Sequence, residues 1–171
     1  MKESYKQYIL YVGNFYYHKN LQRLRVAFKK LVLEDGFKNY KLILVGGKPY
    51  QENDCIISTG YLDDNALNNF YRGADLYVLP SLYEGFGFTA LEAMKRGVPV
   101  VSSSTSCLPE ILGDAAIYFN PLDIRDMVAK IKTVLLNRDL KRDLIKKGLQ
   151  RAKLYPWEKT AKQTLNYYEQ I

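Results

Sequence analysis

Two glutamates eight positions apart, Glu84 and Glu92, stand on either side of a turn that holds Gly85 and Gly87. Glycines at such a turn let the main chain come close to a bound group. The N–H groups of Phe88 and Thr89, at the start of a helix predicted over residues 88–96, carry partial positive charge. The turn therefore suits an anion. Carboxylates repel phosphates but accept hydrogen bonds from hydroxyls, so Glu84 before the turn and Glu92, about one helical turn inside the helix, suit sugar alcohols. A phosphate held between two hydroxyl-binding acids describes a sugar nucleotide. An ordinary strand-turn-helix whose acids are merely solvated uses the same letters, and these residues alone leave both readings open.

The elements that would position this turn are legible on both sides of it. The apolar run at residues 74–79 breaks at Pro80, Gly97 ends the helix, and a second apolar run at residues 98–102 follows, which is a βαβ unit. Further strands are predicted at residues 8–12, 41–45, 55–58 and 115–119. Leu21, Leu24, Phe28, Leu31 and Val32 recur at helical spacing, and further helices are predicted over residues 65–72, 124–137, 140–153 and 157–168. Asp63 and Asp64 suit an N-cap, and Lys48 to Asp54 reads as a polar loop. Alternating strands and helices give an α/β fold, a single Rossmann-like doubly wound parallel sheet, and such sheets bind ligands at the carboxyl ends of their strands.

Composition narrows the function classes. With 171 residues, 47% of them hydrophobic, the chain makes one domain with a proper core. No run approaches the ~20 apolar residues of a membrane span, and the first residues lack the apolar stretch of a signal peptide, so the expected location is the cytoplasm. Cys55 and Cys107 have no metal-ligand spacing and read as buried free thiols. No metal site and no cofactor are expected. The net charge of +7 is uneven: residues 1–122 carry 13 basic and 12 acidic groups, residues 123–171 carry 12 and 6. That excess describes a solvated helical face or a peripheral contact with anionic membrane. Nucleic acid is not an expected partner, because no recognised motif accompanies the charge.

The spacing of Glu84 and Glu92, the Glu84-Gly85-Phe86-Gly87 turn and the following Glu92-Ala93-Met94-Lys95-Arg96-Gly97-Val98-Pro99-Val100-Val101 resemble the C-terminal, donor-binding domain of retaining GT-B glycosyltransferases of family four. The wording is nearest to bacterial mannosyltransferases, and the resemblance runs over nearly the whole chain. It implies that Glu84 and the backbone from Gly85 through Phe86 and Gly87 to Phe88 hold the donor sugar, and that Glu92 holds the ribose. Lys19 matches the lysine that neutralises the leaving diphosphate, and nucleoside contacts fall near Gly46 and Gly47, where a tight turn explains the glycines almost as well. Tyr61 borders the base in relatives; here it stacks on a purine or packs in the core. Many relatives carry arginine after the first-loop glycine, where this chain has Asn14 and a loop one residue shorter. Asn14 can donate a hydrogen bond to phosphate but brings no charge, so Lys19 and the backbone suffice or Arg23 or Arg25 takes part.

The resemblance implies a hexose transferred with retention from a nucleoside diphosphate, GDP-mannose or a UDP-hexose, to a carbohydrate or lipid-linked acceptor in surface polysaccharide synthesis. Whole enzymes of this class have two domains. Residues 1–171 correspond to the donor half, with 155–171 as a helix crossing back to an N-terminal acceptor domain that the chain lacks. The expectation is a fragment of a larger enzyme, a domain cut out deliberately, or one subunit of a split enzyme, inactive in transfer by itself. A catalytically silent sugar-nucleotide-binding or docking module and a sugar-nucleotide epimerase are the rival readings.

Overall fold

The structure, a computed structural model, describes residues 5–170. Six strands form one sheet: β1 (Tyr8–Val12), β2 (Lys41–Asn53), β3 (Ile56–Gly60), β4 (Leu76–Leu79), β5 (Val100–Ser103) and β6 (Ala116–Phe119), in the order β3-β2-β1-β4-β5-β6. Seven helices accompany them: α1 (Leu21–Leu31), α2 (Asp64–Gly73), α3 (Phe88–Lys95), α4 (Leu108–Leu112), α5 (Ile124–Leu136), α6 (Arg138–Ala152) and α7 (Trp157–Tyr168). This is a doubly wound α/β arrangement. Chain order reverses between β1 and β4, which makes the carboxyl ends of these two strands the switch point at which such sheets bind ligands.

Period-two alternation explains how the sheet buries both faces. In β1, Ile9 and Tyr11 point to one face and pack with Leu24, Phe28 and Leu31 of α1 and Met127, Ile131 and Val134 of α5. Tyr8 and Leu10 point to the other face and pack with Tyr71 of α2, Leu91 and Met94 of α3, and Leu108 and Leu112 of α4. Phe28 is fully buried, and truncating it to alanine is expected to cost about 3–5 kcal/mol. Asp63 caps α2 as expected, accepting from Ala66 N; Asp123 accepts from Arg125 N and Asp126 N; and Asn137, read as the end of the preceding helix, instead caps α6 by accepting from Leu140 N.

Cys55 and Cys107, expected to be buried, are only partly covered. The polar stretch read as a loop at residues 48–54 is, as far as Asn53, part of β2. Leu42, Ile43 and Leu44 pair with Ile56, Ile57 and Ser58, and then Tyr50, Gln51 and Asn53 pair with Ser58, Ile57 and Ile56 in reverse sequence. β2 therefore bends at Gly46 and Gly47, both at positive φ, and returns along the outer side of β3. Asn53 Oδ1 closes the turn by accepting from Cys55 N at 3.0 Å and Ile56 N at 2.9 Å. The segment is polar because it is the exposed rim of the sheet.

α7 is peripheral: none of its residues is buried. No helix of the described residues is long and apolar enough to cross a membrane.

Candidate functional site

The loop after β1 (residues 13–20) and the loop after β4 (residues 80–87) are tied together. Leu82 N donates to His18 O at 2.7 Å. Asn20, in left-handed conformation with φ 57° and 4% exposed, donates through Nδ2 to Pro80 O at 3.0 Å and Pro121 O at 2.9 Å. One amide thus joins the segments following β1, β4 and β6, and it satisfies two carbonyls that would otherwise be unpaired.

This clamp brings Lys19 Nζ to 2.8 Å from Glu84 Oε1, with both side chains largely covered. Ser81 Oγ donates to the same oxygen at 2.7 Å. The main chain of Glu84 is held from behind, since its carbonyl accepts from Ser106 Oγ at 2.6 Å and from Cys107 Sγ at 3.2 Å. Lys19 and Glu84, assigned from sequence to different parts of a ligand, form one ion pair.

Gly87 begins α3 at φ 95°, and a Cβ there would meet Leu108 Cδ2 at 2.7 Å, so its absence of a side chain is required twice. Gly85 is different: no atom lies within 4 Å of a Cβ built on it, and its φ is not positive. Among the described residues the N–H groups of Gly85, Phe86, Gly87, Phe88 and Thr89 donate to no acceptor. Five donors at a helix start, next to an exposed glycine, can receive an anion.

Glu92 lies one turn into α3, where Oε2 accepts from Tyr71 Oη at 3.0 Å and its carbonyl from Arg96 Nη1 at 3.0 Å. Tyr77, fully buried in β4, donates to Thr89 Oγ1 at 2.8 Å and has Val12 O within reach at 3.3 Å. Burial pushes the Tyr77 phenol up, and the charges of Glu84 and Glu92 both push it further. Burial likewise raises Tyr71, with Tyr77 and Glu92 adding to it. The charges of both acids therefore act on the Tyr77 phenol.

The remaining sequence-predicted residues have mixed surroundings. A Cβ on Gly46 would strike Gly13 O at 2.2 Å, and one on Gly47 would strike the Phe15 ring at 2.7 Å, so contacts within the chain already require both glycines. Asn14 Oδ1 accepts from Tyr16 N at 3.4 Å, and its carbonyl accepts from Tyr11 Oη at 2.7 Å. Arg25 lies 4.9 Å over the Tyr50 ring and pairs with Glu52 at 3.7 Å, whereas Arg23 donates to Asn20 Oδ1 at 3.0 Å. A hollow of about 170 Å³ beside them is lined by Phe15, Tyr16, Tyr17 and these two arginines. Tyr61 is 83% exposed, which excludes packing in the core. Phe88 stacks on Phe86 at 4.5 Å and on Trp157 of α7 at 5.2 Å, so α7 rests on the edge of the glycine turn.

Sequence reasoning missed Asn20, Ser81 and Tyr71 as parts of this site. Tyr71 is fully buried, and a buried phenol must find an acceptor, which is the signal that could have found it. Nothing local marks Asn20, whose acceptors Pro80 O and Pro121 O lie on other segments, whereas Ser81 stands three residues before Glu84 in one loop.

The chain is similar to known proteins over nearly its whole length. O-antigen chain mannosyltransferase B of Escherichia coli is 34% identical over 178 residues, covering 97% of this chain and 46% of the relative. Sulfoquinovosyl transferase SQD2 of Arabidopsis thaliana is 29% identical, covering 91% of this chain and 32% of the relative. Sucrose-phosphate synthase from Thermosynechococcus elongatus superposes with a TM-score of 0.84 at 27% identity, covering 96% of this chain and 45% of that one. The chain spans less than half the length of each. The sequence profile described as Glycosyl transferases group 1 matches residues 2–151, and the chain belongs to that family.

Proposed function

We propose that this chain is the donor-binding half of a retaining hexosyltransferase, with mannose the favoured sugar. The single observation that carries the reading is the Lys19–Glu84 pair beside the uncommitted N–H groups of residues 85–89, at the point where the sheet reverses its order. A nucleoside diphosphate hexose fits this chemistry. The pyrophosphate takes the helix-start amides and the ammonium of Lys19, a sugar hydroxyl donates to Glu84, and a ribose hydroxyl donates to Glu92. As the glycosidic bond breaks, negative charge grows on the departing diphosphate, and Lys19 with the α3 dipole stabilises it. Glu84 orients the sugar and Tyr61 lies free to meet the base. Asn14, Gly46 and Gly47 line the nucleoside side.

Mannose is favoured because relatives are mannosyltransferases, among them O-antigen chain mannosyltransferase B and a Mycolicibacterium hassiacum MMP alpha-(1->4)-mannosyltransferase, 34% identical over 122 residues. The acceptor is a carbohydrate or lipid-linked chain in surface polysaccharide synthesis, at the cytoplasmic face of the membrane. The basic C-terminal helices supply a peripheral contact with anionic headgroups. Residues 155–171 cross towards an acceptor-binding domain outside this sequence, which must supply acceptor positioning before transfer occurs.

Titration calorimetry with GDP, UDP and their hexoses tests the reading. Micromolar to millimolar binding of one nucleoside diphosphate series is expected, and no binding by any of them sinks it. Adding an acceptor domain and assaying transfer then separates an enzyme from a silent module, and hexose epimerisation by the chain alone would favour the epimerase.

A further inference from the structure

Two buried hydroxyls stand behind the two glutamates, and donor binding alone gives them no task. Ser81, fully buried in the loop after β4, donates to Glu84 Oε1 at 2.7 Å. Tyr71, fully buried on α2, has Glu92 Oε2 at 3.0 Å as the nearer acceptor of its hydroxyl and Thr89 O at 3.3 Å as the farther. In each case one carboxylate oxygen is occupied. Lys19 shares Glu84 Oε1, while Glu84 Oε2 and Glu92 Oε1 accept from no described residue.

Both hydroxyls are themselves fixed from behind. The Ser81 carbonyl accepts from Ser103 Oγ at 2.6 Å and from Thr105 Oγ1 at 3.2 Å, which anchors the loop to the end of β5. The Tyr71 ring lies under the Arg96 guanidinium at 4.7 Å and against the Tyr77 ring at 6.0 Å. A free glutamate samples many rotamers, and holding one costs entropy that the ligand would otherwise have to supply.

We propose that Ser81 and Tyr71 are a matched pair of positioning residues: each pins one oxygen of a glutamate and leaves the other oxygen aimed at a ligand hydroxyl. Ser81 does this for the acid that meets the sugar and Tyr71 for the acid that meets the ribose. This rests on the donor-site reading above. Neither hydroxyl touches the ligand, and their effects should separate according to which ligand hydroxyls are present.

The test is titration calorimetry on this chain and its Ser81→Ala and Tyr71→Phe variants, each of which loses one hydroxyl. The probes are GDP-mannose, UDP-glucose, GDP, UDP and the 2′,3′-dideoxy forms of the two diphosphates. Ser81→Ala is expected to reduce the affinity gained from the hexose by about tenfold and to leave the gain from ribose hydroxyls intact. Tyr71→Phe is expected to do the reverse. Variants that bind every probe as the parent does, or that lose affinity equally for all, overturn the positioning role and leave the donor site standing. A parent chain that binds none of the probes overturns both.

Discussion

The ammonium of Lys19 and the carboxylate of Glu84, 65 positions apart in sequence, meet at 2.8 Å between the loops that follow β1 and β4. A diphosphate that claims Lys19 must draw it from Glu84, and the freed carboxylate can then accept from a sugar hydroxyl. Lys19→Ala is therefore expected to weaken GDP or UDP binding by roughly 10–100-fold. Glu84→Gln is expected to leave binding of the bare diphosphate equal or tighter while abolishing the gain from the hexose. Calorimetry on the two variants reads both signs, and parallel losses would contradict the competition.

Asn20 joins three segments through one amide while holding a left-handed backbone. Asn20→Gly relieves the backbone strain but strands Pro80 O and Pro121 O; Asn20→Ala loses both advantages. Urea unfolding should show the glycine variant destabilised by about 2 kcal/mol and the alanine variant by about 1 kcal/mol more.

Gly85 and Gly46 should respond oppositely to a methyl group. Gly46→Ala forces a Cβ against Gly13 O and is expected to destabilise by more than about 3 kcal/mol. Gly85→Ala meets open space, and its stability should stay within about 0.5 kcal/mol of the parent. Nucleotide affinity should nevertheless fall at Gly85→Ala, because the methyl occupies the approach to the uncommitted amides.

Alkaline pH should weaken the fold. Burial, with Asp75 adding to it, raises the Tyr8 phenol to about 12, and burial raises Tyr40 and Tyr118 to about 12 as well. Tyr11, Tyr71 and Tyr77 are raised further. Above the ordinary tyrosine range the unfolded chain releases these protons while the folded chain keeps them, so ν_U − ν_N is negative and stability falls as pH rises. Between about pH 10 and 12 each such tyrosine adds up to about 1.4 kcal/mol per pH unit to the slope. Denaturant melts across that range check this; a flat profile would contradict the burial of these phenols.

The last helix touches the rest through stacked rings and buries nothing. Trp157→Ala should lower the unfolding free energy by less than about 1 kcal/mol, and amides of residues 157–168 should exchange well before those of the sheet.

The strand pattern, the glycine turn and the two acids were legible because each is a local signal: period-two apolar runs, a turn residue, a fixed spacing. The return of β2 was not, since Lys48, Gln51 and Glu52 look like loop residues until β3 is placed beside them. The same holds for the Lys19–Glu84 pair, which depends on the strand order making the β1 and β4 loops neighbours. Gly46 and Gly47 illustrate the converse: their type was informative, but contacts with Gly13 and Phe15 already account for it.

The bend of β2 also affects how the molecule behaves in a crowded solution. By folding back over β3 it covers one margin of the sheet with Lys48, Gln51 and Glu52, and Glu52 is tethered to Lys29. A foreign strand approaching that margin meets a charged ribbon, which disfavours edge-to-edge pairing there. The four-residue β6 at the opposite margin is too short to template much.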